Sequence, residues 1–520
     1  MKKTIKKLIS TEQLSVSFLL EQYKQWIVAD EIDFLREKTK EKRNIKKHIE
    51  DLIEEQDKLD KGKTTSADWH EMHRIGTKLW KDLASCSLNH IDNVSKGNSQ
   101  LFKFLKASTE FEDILYGLEP YYRDHTLHSL WVYLIGMYIF KNHLPEIYKA
   151  PNWYLYNDIE DGKKVFKYPP ALVKEAGAQE KKFCEKVNNK KDAIWCIMAL
   201  CHDLGYSLAK LDQLNGKVKA VLDFFDFSGI KQVGYSIDVE HQYLAAQFLE
   251  LMSMDVRIVP SENYREKNIC PKEKVLIKCY RDDSTYWRVC RALEKKQHGV
   301  LSAYLIYKIL GIFADSWIRG AAEEWGLEDD EVIDNIIRGD ILFAIAQHEF
   351  DFAHLIRINS FADVLILADE LEEFSRYGRQ LQARRYEPTT AHSEISFKKI
   401  KGDSLEIIIS YEVMGQNNLK DFFTRKASGL CKLYSLDQVE GKKKALKRYK
   451  IMRIKMSAKK NKDILSLNFS GMDRHKIKVK GPTYEEIARD MLCYDDKLVD
   501  IDSRESLDTI IKEKKEITAE

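Results

Sequence analysis

No stretch of this chain stays apolar for long. The longest such run, LWVYLIGMYIF (130–140), has 11 residues. That is too short to span a bilayer and suits a buried core helix. The amino-terminal MKKTIKKLISTEQLS is basic but lacks the apolar stretch of a signal peptide, so we expect a soluble cytoplasmic protein with no membrane association. Paired cysteines are missing too. The nine cysteines are scattered and none forms a CxxC, which predicts reduced, buried thiols and argues against a cysteine-based zinc site. Neither sign of charge is in excess: 84 basic and 82 acidic residues leave a net charge of +2. Such a balance gives no reason to expect nucleic acid or membrane to bind over the whole surface, but it permits a local basic pocket. Repeats and low-complexity tracts are also absent.

What is present is a 520-residue chain, 44% hydrophobic and 11% aromatic. It is too long for one core and rich enough to bury two or three domains. The pattern predicts a mainly α fold with a small C-terminal α+β domain. Residues 1–118 read as a helical N-terminal region, with a solvated or short coiled segment at 36–63 where both signs of charge interleave. Residues 119–385 show helical periodicity, without clear strand alternation, around less regular insertions at about 143–190 and 254–286. YEPTTAHSE (386–394) reads as a linker. Beyond it, 404–413, 449–457, 463–471 and 475–481 read as strands, and 419–434 and 482–494 as helices. This last unit, 386–520, is expected to be regulatory or oligomerising.

Within 119–385, polar residues recur on apolar stripes. His128 is followed at three, four and seven positions by Trp131, Val132 and Ile135. His202 follows Trp195, Met198 and Ala199, and Asp203 stands next to it, where Gly205 lets the helix end. His241 shares a stripe with Leu244, Ala245, Phe248 and Met252. His348 follows Ile341, Ala344 and Ile345, and Asp369 follows Ala362, Leu365 and Ile366. A lone core histidine is usually satisfied by a carbonyl, and an unpaired buried carboxylate costs several kcal/mol. Five segments that each turn such a group inward need a shared partner, and a divalent metal satisfies imidazoles and carboxylates together. Manganese, iron, zinc or nickel suits this mixture, with magnesium fitting beside phosphates. His125, three residues before His128, shares its helical face. Most other histidines, His73 and His298 among them, read as surface residues.

The series His128, His202-Asp203, Asp369 resembles the H…HD…D signature of the HD-domain metal-dependent phosphohydrolase superfamily. HSLWVYLIG, ALCHDLG and LILADELEEFSRYGR are similar to its three motif helices, and EHQYLAAQFL and AIAQH to two further histidine segments. The resemblance spans about 119–385 in pieces. It implies that His128, His202, Asp203 and Asp369 ligate a metal. For His241 and His348 it leaves two roles open: ligands of a second ion, or acid and phosphate contacts. HSLWVYLIG, LCHDLG and EHQ most resemble deoxynucleoside triphosphate triphosphohydrolases, which convert a dNTP to deoxynucleoside and triphosphate. Those enzymes usually carry a histidine-containing segment after HDLG, where this chain has Tyr206.

The expected activity is therefore hydrolysis of a nucleotide by a metal-activated water, with Asp203 at the centre and His241 as candidate acid. One or two ions would bind per site. Arg376, Arg379 and Lys210 are candidate phosphate contacts, with a solvated helix end as the equal alternative for the arginines; Tyr206 and His125 are candidate substrate neighbours. Two alternatives stay open: a phosphodiesterase for a cyclic or oligomeric nucleotide, and a non-catalytic nucleotide-sensing module. Expected partners are the nucleotide substrate, a nucleotide effector, and a second copy or another protein at the C-terminal domain.

Overall fold

The computed structural model describes residues 13–60, 66–91, 97–115, 123–143, 159–160, 163–164, 181, 184–222, 238–260, 275–281, 283–314, 330–349, 361–374, 377–379, 386–388, 391–400, 404–414, 418–431, 451–470 and 478–480. The chain is mainly helical, with a small sheet formed largely by its C-terminal part. The N-terminal helices are α1 (Val16–Val28), α2 (Thr39–Asp60), α3 (Ser66–Ile91) and α4 (Asn98–Leu115). The central ones are α5 (His125–Asn142), α6 (Lys191–Cys201), α7 (Leu211–Leu222), α8 (Val239–Met252), α9 (Asp283–Glu294), α10 (His298–Ile309), α11 (Asp330–Gln347) and α12 (Phe361–Leu371). The C-terminal unit adds α13 (Leu419–Cys431).

The core is built around α5. Residues His125 to Phe140 are all buried, as expected of a helix that is apolar on every side. It packs against α1, α3, α6 and α12. The highly charged α2 also has an inner face. Ile45, Ile49 and Leu52 are buried at helical spacing, and the helix packs along α3, so α2 is solvated on one side only. Near the start of α6, two acids cap each other's backbones. Asp33 N donates to Asp192 Oδ2 at 3.1 Å, and Asp192 N donates to Asp33 Oδ2 at 2.8 Å. Lys141 Nζ adds a bond of 2.9 Å to Asp192 Oδ2.

The six-stranded sheet comprises β1 (Gln13–Leu14), β2 (Ala391–Ile400), β3 (Ser404–Val413), β4 (Ile451–Lys460), β5 (Asp463–Ser470) and β6 (Lys478–Lys480), in that spatial order. All neighbours are antiparallel except β3 and β4. That parallel pair needs a crossover, and α13 lies within it, packed on β4, β5 and α12. The strands expected at 404–413, 449–457 and 463–471 are present. Of the strand expected at 475–481, 478–480 is described; the helix expected at 482–494 lies outside the described residues.

Two expectations are corrected. Residues 386–394 are not simply a linker: 386–388 pair with 377–379, and β2 begins at Ala391. Ala391, Ser393, Ile395 and Phe397 are buried while His392, Glu394 and Lys398 are exposed, a two-residue period hidden behind polar and small residues. The region 119–385 also contains strands. Met254–Pro260 pairs with Val275–Arg281, and 159–160 pairs with 163–164. In sequence Met254, Val256 and Ile258 alternate with Asp255 and Arg257, but the pattern runs only five residues before Val259 breaks it. Among the described residues, no helix is long and apolar enough to cross a membrane.

Candidate metal centre

Two local devices deliver the expected ligands His128, His202 and Asp203. Asp124 caps α5, its side chain accepting from Leu127 N at 2.9 Å, and is held by His73 Nδ1 at 2.7 Å. That fixes the first turn of α5, which carries His125 and His128. Helix α6 stops at Cys201, and a turn follows through Gly205. Trp80 Nε1 ties the helix end down through Leu200 O at 3.2 Å. The turn lies against α10, where a Cβ on Gly205 would fall 2.5 Å from His298 O and 2.7 Å from Ser302 N. Glycine therefore permits this approach. Gly205 N completes it by donating to Ser302 Oγ at 2.7 Å.

The result is a buried cluster around Asp203. Its Oδ2 lies 3.3 Å from His128 Nε2 and 3.5 Å from His202 Nε2. Its Oδ1 lies 3.1 Å from His298 Nε2 and 3.5 Å from His348 Nε2. Asp369 Oδ1 is 3.1 Å from His128 Nε2 and 4.0 Å from His202 Nε2. Three overlapping sets have ligand atoms all within 4.8 Å of one another: His128, His202 and Asp203; His202, His348 and Asp369; Asp203, His298 and His348. These groups could hold a metal ion.

The far side of each ring supports that fit. His128 Nδ1 is 2.6 Å from Glu372 Oε2, and His298 Nδ1 is 2.7 Å from Glu349 Oε1. His202 Nδ1 faces Ala199 O at 2.8 Å, and His348 Nδ1 faces Ile345 O at 2.6 Å. With Nδ1–H donating outward, all four Nε2 atoms point at the Asp203 and Asp369 carboxylates. Metal-binding histidines are oriented in this way.

Electrostatics follow from the crowding. Burial and Arg123 push the His128 imidazole down, but hydrogen bonds that it donates to Asp203, Asp369 and Glu372 outweigh them and carry its pKa up to about 10. His298 is likewise opposed by burial and carried up to about 10 by Glu349 and Asp203. Burial, with His348 and His128 nearby, lowers His202 to about 4. Burial tends to raise both aspartates, yet the surrounding imidazoles, with Arg123 beside Asp369, hold them well below the usual carboxylate range.

The structure thus brings together His128, His202, Asp203, His348 and Asp369. His125 and Tyr206 adjoin them. The Tyr206 ring lies 4.0 Å from His125 and 5.4 Å from His298, and Lys210 Nζ sits 4.8 Å above it. His125 Nδ1 contacts the buried Glu112 at 3.1 Å. A cavity of about 20 Å³ beside Asp203 is lined by Glu112, His125, Ser108, Thr109 and Ser129, room for about one water. His241 is half-buried at the start of α8, and none of the cluster's polar contacts described here involves it. Arg379 is on a strand, not a continuation of α12, which ends at Leu371; Arg376 lies outside the described residues.

His298 corrects the expectation of a surface residue. It is half-buried and opens α10 after the charged run EKKQ, a polar context that disguises its place in the cluster. Three further residues carried no signal of their own: Glu349 next to His348, Glu372 one turn beyond Asp369, and Arg123 two before His125. Arg123 NH1 lies 3.0 Å from Asp369 Oδ1 and 3.1 Å from His128 Nε2. Compared with protein-family models, with curated proteins and with solved structures, the chain matches none.

Proposed function

We propose that this chain is a metal-dependent phosphohydrolase acting on a nucleotide. The observation that carries the reading is Asp203, whose two carboxylate oxygens face two different histidine pairs. His128, His202, Asp203 and Asp369 would hold one cation; Asp203, His298 and His348 would hold a second. Manganese or iron suits this nitrogen-and-oxygen donor set, with zinc, nickel and magnesium as competitors. A divalent ion bound there supplies Lewis-acid polarisation of a phosphoryl oxygen and a more acidic water.

The chain's own groups do the rest. Glu372 and Glu349 fix the orientation of His128 and His298. Arg123, fixed in charge, offers a guanidinium to anionic oxygens next to Asp369. Tyr206 stands beside His125 and His298, with Lys210 over its ring. The triphosphohydrolase reading relied on His241 as acid, and the cluster's contacts do not include it. Histidines on both sides of Asp203 favour a phosphodiesterase acting on a cyclic or oligomeric nucleotide, so we rank that substrate class first and a dNTP second.

The test is product analysis. Purified protein with Mn²⁺ is incubated with dNTPs, cyclic mononucleotides, cyclic dinucleotides and short oligonucleotides. We expect an opened or shortened nucleotide, abolished by Asp203→Ala. Triphosphate plus deoxynucleoside would favour the second reading. Metal binding with no hydrolysis of any substrate would leave a sensor and overturn the enzymatic one.

A further inference from the structure

Lys426 sits on α13 in the C-terminal unit, yet it is only 3% exposed. A buried ammonium costs several kcal/mol unless paired. Here it pairs with Glu373 and donates to Glu370 O at 3.3 Å. Glu373 is buried just beyond the end of α12, and its Oε1 is 3.9 Å from Arg123 NH2. Arg123 NH2 donates to Glu372 O at 3.2 Å, while NH1 contacts Asp369 Oδ1 and His128 Nε2. The guanidinium is therefore shared among three acids: Asp369 in the candidate metal centre, Glu372 behind His128 with Oε2 3.8 Å from Nε, and Glu373, which is paired with the C-terminal unit.

We propose that Lys426 is a positioning residue for the metal centre. By neutralising Glu373 it leaves Arg123 held against Asp369 and His128, so that the C-terminal unit sets how strongly the centre attracts a cation. This rests on the metal-binding reading above. In a buried site, charges at these separations are poorly screened. Without the Lys426 charge, Glu373 draws Arg123 away from Asp369. Asp369 then keeps more of its negative charge for a cation, and affinity rises. Without the Glu373 charge, Arg123 settles on Asp369 and affinity falls. A change at the sheet that displaces α13 would act on the centre through the same contacts.

The experiment measures the Mn²⁺ dissociation constant of the full chain from the loss of the free-ion EPR signal. Lys426→Met should bind Mn²⁺ several-fold more tightly than wild type, and Glu373→Gln several-fold more weakly. The double variant, which removes both charges, should return close to wild type. These opposite shifts and their cancellation are not what general loosening of the fold produces, and thermal unfolding of each variant checks that it is folded. Should Lys426→Met fail to fold, Glu373→Gln and the double variant still carry the comparison. Mn²⁺ affinity that Glu373→Gln, or a folded Lys426→Met, leaves at the wild-type value overturns this inference alone. No Mn²⁺ binding by the wild type overturns the metal reading with it.

Discussion

His298 Nε2 lies 3.1 Å from Asp203 Oδ1, joining the first residue of α10 to the turn after α6. This contact separates a one-ion centre from a two-ion centre. His298→Ala should lower Mn²⁺ stoichiometry by one ion per chain and leave the ion on the His128 side. Asp203→Asn should weaken both. Elemental analysis after equilibrium dialysis reads the difference; equal stoichiometry in wild type and His298→Ala would refute the two-ion arrangement.

Metal uptake should release protons. In the metal-free protein His128 and His298 have pKa values raised to about 10, so both are protonated at neutral pH. A cation takes only deprotonated imidazole nitrogens. Binding at pH 7.5 should therefore expel a proton from each, and affinity should climb with pH until about 10. Calorimetry in two buffers of different ionisation enthalpy measures the release. Buffer-independent heats would contradict it.

Gly205→Ala should disturb the centre from outside it. The added methyl meets His298 O at 2.5 Å and Leu301 Cβ at 2.6 Å, so α10 or the turn must shift. Overpacking of this kind costs about 1–3 kcal/mol. We expect a lower melting temperature and weaker Mn²⁺ binding, the second ion most of all. An unchanged melting curve would mean that the turn has slack.

Stability should carry a pH signature from Asp33. Burial, then the charge of Asp192, raises its pKa to about 7. A carboxylate whose folded pKa is raised contributes stability that is full below its unfolded value near 3.8 and is lost as pH rises through about 7. Wild type minus Asp33→Asn stability should therefore fall between about pH 4 and pH 8, by a few kcal/mol at most. Denaturant midpoints across that range test it, and a flat difference would exclude the effect.

Much of the candidate centre was legible because buried polar groups interrupt apolar helical stripes. His128, His202, His348 and Asp369 each stand at three, four or seven residues from buried apolar neighbours. Asp203 was legible because it stands beside His202 shortly before Gly205, although the helix itself already stops at Cys201. His241 satisfies the same rule but sits where its stripe begins: Phe248 and Met252 are buried while His241 is only half-buried, so periodicity marked the face and not its depth. His298 failed the rule because the charged run EKKQ precedes it and Ser302 interrupts the stripe of Leu301 and Leu305 that follows it. Glu372 and Glu373 are buried, and Arg123 and Glu349 half-buried, through partners distant in sequence or on other elements, which a local window does not see. In the sheet, β3 and β5 were plain from alternation, whereas β2 was hidden by its small and polar inward residues at the start.

The two-residue strand β1 pairs Gln13 with Ser396 and Leu14 with Ile395. These bonds join segments about 380 residues apart in sequence. Until β2 has left the ribosome, β1 has no edge to join, and closing so long a loop slows assembly. The emerging helices must wait unsealed at that border, so chaperone dependence during synthesis should ease abruptly once β2 emerges.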